Sequence, residues 1–424
     1  MADLEIVRKI SEGVHGEVYL VDIHESKRFS KDGTYAMKKY TNGKIMSDNI
    51  VREVHILNSF DHPNLMASLY TIITNDEVAV IMPAAKYDLE HYVVGVSSLE
   101  ELVVKKIMCQ LLNALAFLHS NRIIHEDVKL NNILMMESHP EPKVMLCDFT
   151  ISSFVGPEGE PVVCPSQSLP YRPPELLENP DSSHLYESDI WALGIVFYEL
   201  ATGSTYMRYA STRKTVLETS KVIREIVEDE IFDKDIQSIV LAPLVIDPTK
   251  RPTAEEILRS LGMTLIVQGT PKGLDVVLDI PDKDMSKRKV LIEWMLEIKK
   301  SVEKKVPDPP SKETFLLAVD ILDRTLTELA VPSKWMQLMA CIAMALASDI
   351  YGVEYLIVDD FLLVTKNSYT KDQFYHWKYE MVKVLEWRVF RPSIGEMFSD
   401  VSFEKLVECY SQHYSIDEIR KLVA

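Results

Sequence analysis

The sequence predicts an α+β domain followed by an all-α bundle of five helices, and three observations carry that prediction. The first 40 residues hold short strand-like runs with turn signals between them. At residues 123–134 a polar run places a carboxylate, an ammonium and an amide at fixed offsets between apolar anchors. Beyond residue 285 the apolar periodicity turns purely helical.

Composition bounds the reading. A chain of 424 residues, 47% hydrophobic and 26% charged, has room for two or three globular domains. Its net charge of −18 argues against broad nucleic-acid or anionic-membrane surfaces, so neither is expected as a partner. Five scattered cysteines (Cys109, Cys147, Cys164, Cys341, Cys409) form no Cys-x-x-Cys pair, which suits a reducing cytoplasmic or nuclear setting. The N-terminus lacks a long apolar run, so no secretory signal is expected, and no segment reads as long enough to span a membrane.

Strands are expected at IVRKI, EVYLVDI and TYAMKKY. Gly13 and Gly16, three apart between the first two and followed by Val18, let a backbone approach phosphates, although two glycines in a hairpin are by themselves a turn. Lys38 stands on the third strand, where a lone Lys is ordinarily a solvated edge residue. Glu53 follows on an amphipathic helix, Asn49–Leu57, and the strand 78–81 leads into Met82-Pro83-Ala84-Ala85. A long helix, Leu99–Ser120, closes at His125-Glu126-Asp127-Val128-Lys129-Leu130-Asn131-Asn132. Then come Cys147-Asp148-Phe149-Thr150, Tyr171-Arg172-Pro173-Pro174-Glu175, Asp189-Ile190-Trp191-Ala192-Leu193-Gly194 and Asp247-Pro248-Thr249-Lys250-Arg251-Pro252.

These stretches, in this order over about residues 4–262, resemble the landmarks of a two-lobed protein kinase domain. The resemblance implies an ATP- and Mg2+-dependent protein Ser/Thr kinase. Asp127 would accept the substrate hydroxyl proton and Lys129 stabilise the transferring phosphate; Lys38 and Glu53 would pair and orient the nucleotide. Asn132 and Asp148 would hold magnesium. Gly13, Gly16 and Val18 would cover the nucleotide, Met82, Pro83 and Ala85 would read adenine, and Asp88 would bind ribose. Arg251 would neutralise a buried Glu175, and Asp189 would accept from the catalytic-loop backbone. Ser11, Glu126 and Thr150 depart from the pattern and motivate the competing reading, a pseudokinase–cyclin scaffold that binds partners without phosphoryl transfer.

Residues 47–53 resemble the cyclin-binding helix of cyclin-dependent kinases, and Arg172 matches the residue bracing a pocket for Pro after the acceptor. Pro170 departs from the usual Trp, so Pro-directed specificity is a hypothesis here. In that family three arginines converge on an activation-segment phosphothreonine. Here Val163 stands at the phosphothreonine position, and Arg52, Glu126 and Ser153 at the arginine positions. Arg52 and Glu126 are expected to face each other, the carboxylate substituting for phosphate; drift in a dispensable loop explains the same changes. Val14 and His15 occupy the inhibitory phosphorylation positions.

The expected organisation is a kinase domain at 1–263 (N-lobe 1–83, C-lobe 84–263), a linker at 264–284 with one strand, a bundle at 285–392 and a helical extension at 393–424. Helices are expected at Met285–Lys299, Lys312–Leu329, Lys334–Ala347, Asp359–Thr365 and Lys371–Trp387. The runs from Arg288, from Phe315 and at Tyr369-Thr370-Lys371 resemble a cyclin box. That implies a partner within the chain: the bundle on the Ser47–Leu57 helix, in cis or in a swapped dimer. Asp349 and Lys378 stand, with reversed signs, where cyclins grip the kinase helix. Val290, Leu291, Trp294, Glu297, Met336 and Gln337 match a patch that docks Arg-x-Leu segments of protein substrates, with Lys287 departing at its edge; simple bundle packing is the rival explanation.

Overall fold

The computed structural model describes residues 4–13, 16–24, 32–41, 48–73, 77–95, 99–138, 141–156, 167–180, 182–203, 212–264, 270–271, 282–303, 311–351 and 358–390. Val14, His15, Val163, the Lys287 side chain, most of the 264–284 linker and the extension at 393–424 lie outside them. The chain divides into two compact units. One comprises Met1–Asn42, Phe60–Val155 and Pro161–Lys272; the other comprises Gly43–Ser59, Gly156–Glu160 and Gly273–Ala424.

The first unit opens with β1 (Leu4–Gly13), β2 (Gly16–Ile23) and β3 (Gly33–Thr41). After the intervening helix α1 (Asp48–Ser59), which belongs to the second unit, come β4 (Phe60–Asp61), β5 (Tyr70–Ile73) and β6 (Glu77–Pro83). The antiparallel sheet has the order β1-β2-β3-β6-β5. Strict alternation sorts its side chains. Val21, Ile23, Met37, Ile72, Ala79 and Ile81 form a buried cluster on one face. The register Val18↔Lys38↔Val80 and Ala36↔Met82 puts the expected nucleotide-side residues on the other. At the β1–β2 tip Gly13 pairs with Gly16, and a Cβ on Gly16 would come within 2.5 Å of the Lys39 carbonyl oxygen, so only glycine fits there.

Next follow β7 (Tyr87–Asp88), α2 (Leu89–Gly95), α3 (Glu101–Ser120), β8 (Ile123–Ile124), β9 (Ile133–Glu137), β10 (Lys143–Leu146) and β11 (Ser153–Phe154). The strands pair as β10-β9-β7 and β11-β8. Helices α4 (Pro174–Glu178), α5 (Glu187–Thr202), α6 (Arg213–Glu230), α7 (Lys234–Leu241) and α8 (Ala254–Ser260) complete the unit. Thr212, Asp233 and Thr253 cap three of them, and Gly203, at φ 65°, ends α5 in the left-handed region. Helix α3 corrects one expectation: it is long and apolar enough to cross a membrane. Its apolar residues instead form core, since Ile107, Leu111, Leu112, Leu115 and Leu118 are buried. The expected linker strand is β12 (Thr270–Pro271), paired antiparallel with β4.

The second unit joins α1 to α9 (Asp282–Glu303), α10 (Lys312–Glu328), α11 (Met336–Tyr351), α12 (Val358–Val364) and α13 (Lys371–Val384). Helices α10 and α11 are buried nearly all round, as befits a bundle centre. Two buried ion pairs brace it: Arg288 grips Asp323 through both carboxylate oxygens at 2.5 and 2.6 Å, and Arg324 pairs with Asp320 at 2.7 Å. Because both partners are supplied, these charges avoid the cost of standing alone in an apolar core.

Candidate active site

The catalytic loop hangs between two anchors. Buried Ile123 and Ile124 pair through β8 with β11, and buried Ile133 opens β9. Asp189, fully buried on α5, accepts from the backbone amides of His125 (2.7 Å) and Glu126 (2.9 Å). Those bonds hold Glu126 at φ 69°, a conformation uncommon for a residue with a side chain.

Three side chains converge on Asp127. Lys129 reaches Oδ2 at 2.5 Å, the Asn132 amide donates to the same oxygen at 2.8 Å and to the Asp127 carbonyl at 2.9 Å, and the Ser168 hydroxyl donates to Oδ1 at 2.6 Å. Lys129 also donates to the Ser168 hydroxyl at 3.1 Å. Both carboxylate oxygens are therefore oriented before any substrate arrives. Ser168 was not legible in the sequence: Ser166 and Ser168 both precede the Tyr171-Arg172-Pro173-Pro174-Glu175 run, and nothing local selects one.

A second cluster adjoins the first through the backbone, because Cys147 donates to the Asn132 carbonyl at 2.9 Å. Lys38 lies 3.2 Å from Asp148 Oδ1 and 3.0 Å from the Thr150 hydroxyl, which itself donates to Asp148 Oδ1 at 2.5 Å. Burial would raise the Asp148 carboxyl, but the Lys38 charge and the Thr150 hydroxyl hold it down to about 2. Thr150, a departure from the kinase pattern, thus fills the place of the missing Gly with a bridging hydroxyl. An ionised carboxylate and an amide oxygen are hard donors of the kind that suits Mg2+.

The remaining positions expected to face the nucleotide fall on the same unit. Val18 and Lys38 are directly opposite in the β2–β3 pair, and Pro83 and Met82 face Tyr35 and Ala36 in the β3–β6 pair. Ala85 follows β6, and Asp88 on β7 faces Leu134 of β9. Asp88 also accepts from the His91 amide at 2.7 Å, starting α2. Scaffold contacts enclose the site: Arg251 meets Glu175 at 2.8 and 3.1 Å and stacks on Trp191. Glu175 is half-buried rather than buried as expected.

Glu53 sits on α1, buried, in the second unit, and α1 is held there by named contacts. Arg52 donates to the Asp349 carbonyl at 3.0 Å and to Asn49 at 2.6 Å, while the Asp349 carboxylate pairs with Lys378 at 2.5 Å. His55 is fully buried, with Nδ1 3.1 Å from the Trp387 carbonyl and its ring edge-on to Phe390. Arg324 donates to the Arg388 and Val389 carbonyls at 2.6 and 2.8 Å, fixing the turn that meets His55. The Glu126 carboxylate accepts from His184 Nε2 at 2.9 Å and from Gln167 Nε2 at 3.2 Å, as a buried carboxylate needs donors packed around it. Of the six docking-patch residues, Val290 and Glu297 are exposed, Trp294 and Gln337 half-buried, and Leu291 and Met336 buried.

Comparison with known proteins agrees with this geometry. Residues 4–261 match the protein kinase domain, and residues 270–390 match the cyclin N-terminal domain. Serine/threonine-protein kinase SIK1 of Rattus norvegicus is 30% identical over 235 residues, 53% of this chain and 29% of that protein. Serine/threonine-protein kinase SIK2 of Gallus gallus is 30% identical over 216 residues, 50% of this chain and 26% of that one. Serine/threonine-protein kinase 36 of Pongo abelii is 30% identical over 207 residues, 48% of this chain and 15% of that one. The chain spans less than a third of the length of these curated relatives. With a kinase domain match over more than half its length and a cyclin domain match behind it, the chain belongs to the protein kinase family, as a kinase–cyclin fusion.

Proposed function

We propose that this chain is an ATP- and magnesium-dependent protein Ser/Thr kinase of cyclin-dependent type, whose own cyclin bundle holds α1 so that no activation-loop phosphorylation is needed. The observation that carries the proposal is the grip on α1 by Asp349 and the 387–390 turn through Arg52 and His55. A bundle that fixes α1 fixes Glu53, the residue expected to pair with Lys38.

In this reading Asp127, oriented by Asn132, Lys129 and Ser168, takes the proton of a Ser or Thr hydroxyl as that oxygen attacks the γ-phosphoryl group of ATP. Lys129 balances charge at the transferring group, and Lys38 orients the nucleotide phosphates. Asn132 and Asp148 would hold magnesium, which when bound neutralises phosphate charge. Val18, Met82, Pro83 and Ala85 line the base side, with the Pro83 carbonyl still able to accept.

Docking in cis is favoured by the chain path. β12 pairs with β4, the strand that directly follows α1, so the tether to α9 starts at Pro271 and not at the end of α8. From there to Asp282 the chain spans at most roughly 40 Å. A tether this short gives an effective concentration in the millimolar range when the geometry allows, on the order expected for short linkers.

The test pairs a thermal shift with an activity assay. ATP should raise the melting temperature only with Mg2+ present, and Asp127→Asn should abolish phosphorylation while keeping the shift. A shift without transfer in the wild-type chain would favour the pseudokinase–cyclin scaffold.

A further inference from the structure

Two consecutive residues of the catalytic loop meet two consecutive residues of the segment leading to Tyr171. Asp127 accepts from Ser168 at 2.6 Å, and Glu126 accepts from Gln167 at 3.2 Å. The second contact is reinforced from a third direction: His184, just ahead of α5, donates to the same Glu126 oxygen at 2.9 Å. Glu126, Gln167 and His184 are 1%, 6% and 3% exposed, so the cluster is closed to water. The Gln167 carbonyl is separately taken by Arg172 at 2.6 Å. Ser168, which orients the catalytic carboxylate, is therefore the neighbour of a residue pinned at both its side chain and its carbonyl.

We infer that Glu126, Gln167 and His184 form a built-in clamp, which positions Ser168 against Asp127 and does for the end of the activation segment what a phosphate would otherwise do. The inference rests on the reading above that transfer proceeds without activation-loop phosphorylation. The charges suit it. A carboxylate buried this deeply is stable only with a cationic or strongly donating partner. Burial raises the Glu126 carboxyl, with Asp189 adding to that and His184 opposing it. Burial pulls the His184 imidazole down, but Glu126, Asp189 and Glu187 together carry it above its ordinary value. The pair can share a proton across its 2.9 Å contact. Its grip is complete while His184 keeps its proton, and it weakens as pH rises through the raised histidine value, leaving the Glu126 charge buried without a cation.

These three are positioning residues, and the test uses the full chain with no activating kinase added. His184→Ala should lower kcat about 10-fold with KM for ATP within twofold, and Gln167→Ala should act in the same direction. His184→Gln keeps a donor but cannot titrate. It should recover most of kcat and lack the alkaline fall in kcat expected of the wild type. Amide exchange at residues 168–171 should be about 10-fold faster in His184→Ala, with exchange in α5 unchanged. Unaltered kcat in both alanine variants, an alkaline limb surviving in His184→Gln, or unaltered exchange at 168–171 overturns the clamp. A wild-type chain that transfers no phosphate overturns the functional reading, and exchange at 168–171 then decides the clamp alone. If His184→Ala fails to fold, Gln167→Ala and His184→Gln carry the same comparison.

Discussion

Arg52 donates to the backbone carbonyl of Asp349 at 3.0 Å, so a helix encoded within the kinase sequence is capped onto a helix of the cyclin bundle. Asp349 is itself held by Lys378 at 2.5 Å, with both side chains largely withdrawn from water. Lys378→Met should strand the Asp349 carboxylate and destabilise the second unit by about 3 kcal/mol, the usual scale for half of a buried pair. Lys378→Met with Asp349→Leu should restore most of that loss. Urea unfolding of the full chain as a double-mutant cycle reads the coupling, and additive losses would show that the pair contributes nothing to the grip.

His55 gives the grip a pH dependence. Burial lowers its imidazole to about 3 in the folded chain. The folded value lies below the unfolded one, so the contribution to stability is full above roughly 6.5, the ordinary histidine value, and is lost as pH falls below it toward the folded value. The melting temperature of the wild-type chain should therefore drop through that window, and His55→Gln should flatten the drop.

Ser168 bridges Asp127 and Lys129, and its removal should be felt in turnover and not in nucleotide binding. Ser168→Ala deletes a hydrogen bond to a charged group, about 1.5–3 kcal/mol. The expected outcome is a fall in kcat of about 10-fold or more with KM for ATP nearly unchanged. Ser168→Thr, which keeps the hydroxyl, should rescue it; equal losses in both variants would point to packing.

Arg172 donates to the Gln167 carbonyl at 2.6 Å, which leaves that acceptor engaged within the chain. A Pro following the acceptor residue loses nothing there, since it has no N–H. A degenerate peptide library should show enrichment for Pro at that position, and a flat profile refutes Pro-directed specificity.

On the bundle, Val290 is 63% exposed and lies on the same helix as half-buried Trp294 and exposed Glu297. An Arg-x-Leu peptide should bind saturably to the full chain, and Trp294→Ala should weaken that binding at least several-fold. Binding that ignores the substitution removes the docking patch.

Much of this architecture was legible because its signals are local. Lys38, Asp127, Asn132 and Asp148 stand in short local motifs that the resemblance to a kinase picks out, and α10 and α13 begin where the caps Ser311 and Thr370 stand in the sequence. Helix ends were less legible: α13 stops at Val384, because Glu386 and Trp387 turn to φ 49° and 63°, which side-chain periodicity does not signal. The least legible features are contacts across long sequence separations. Glu126 reads as a lost arginine, and only the fold brings in Gln167 and His184, 41 and 58 residues away. Thr150 likewise reads as a lost glycine until its hydroxyl is seen between Lys38 and Asp148.

The most direct measurement is phosphoryl transfer from ATP to a Ser/Thr acceptor by the purified full-length chain, with no cyclin and no activating kinase added and Asp127→Asn run alongside. Steady turnover by the wild type, silence in Asp127→Asn and a reduced rate in Arg52→Ala is the predicted result. A wild-type chain that stays inert until a separate cyclin or activating kinase is supplied would contradict the account.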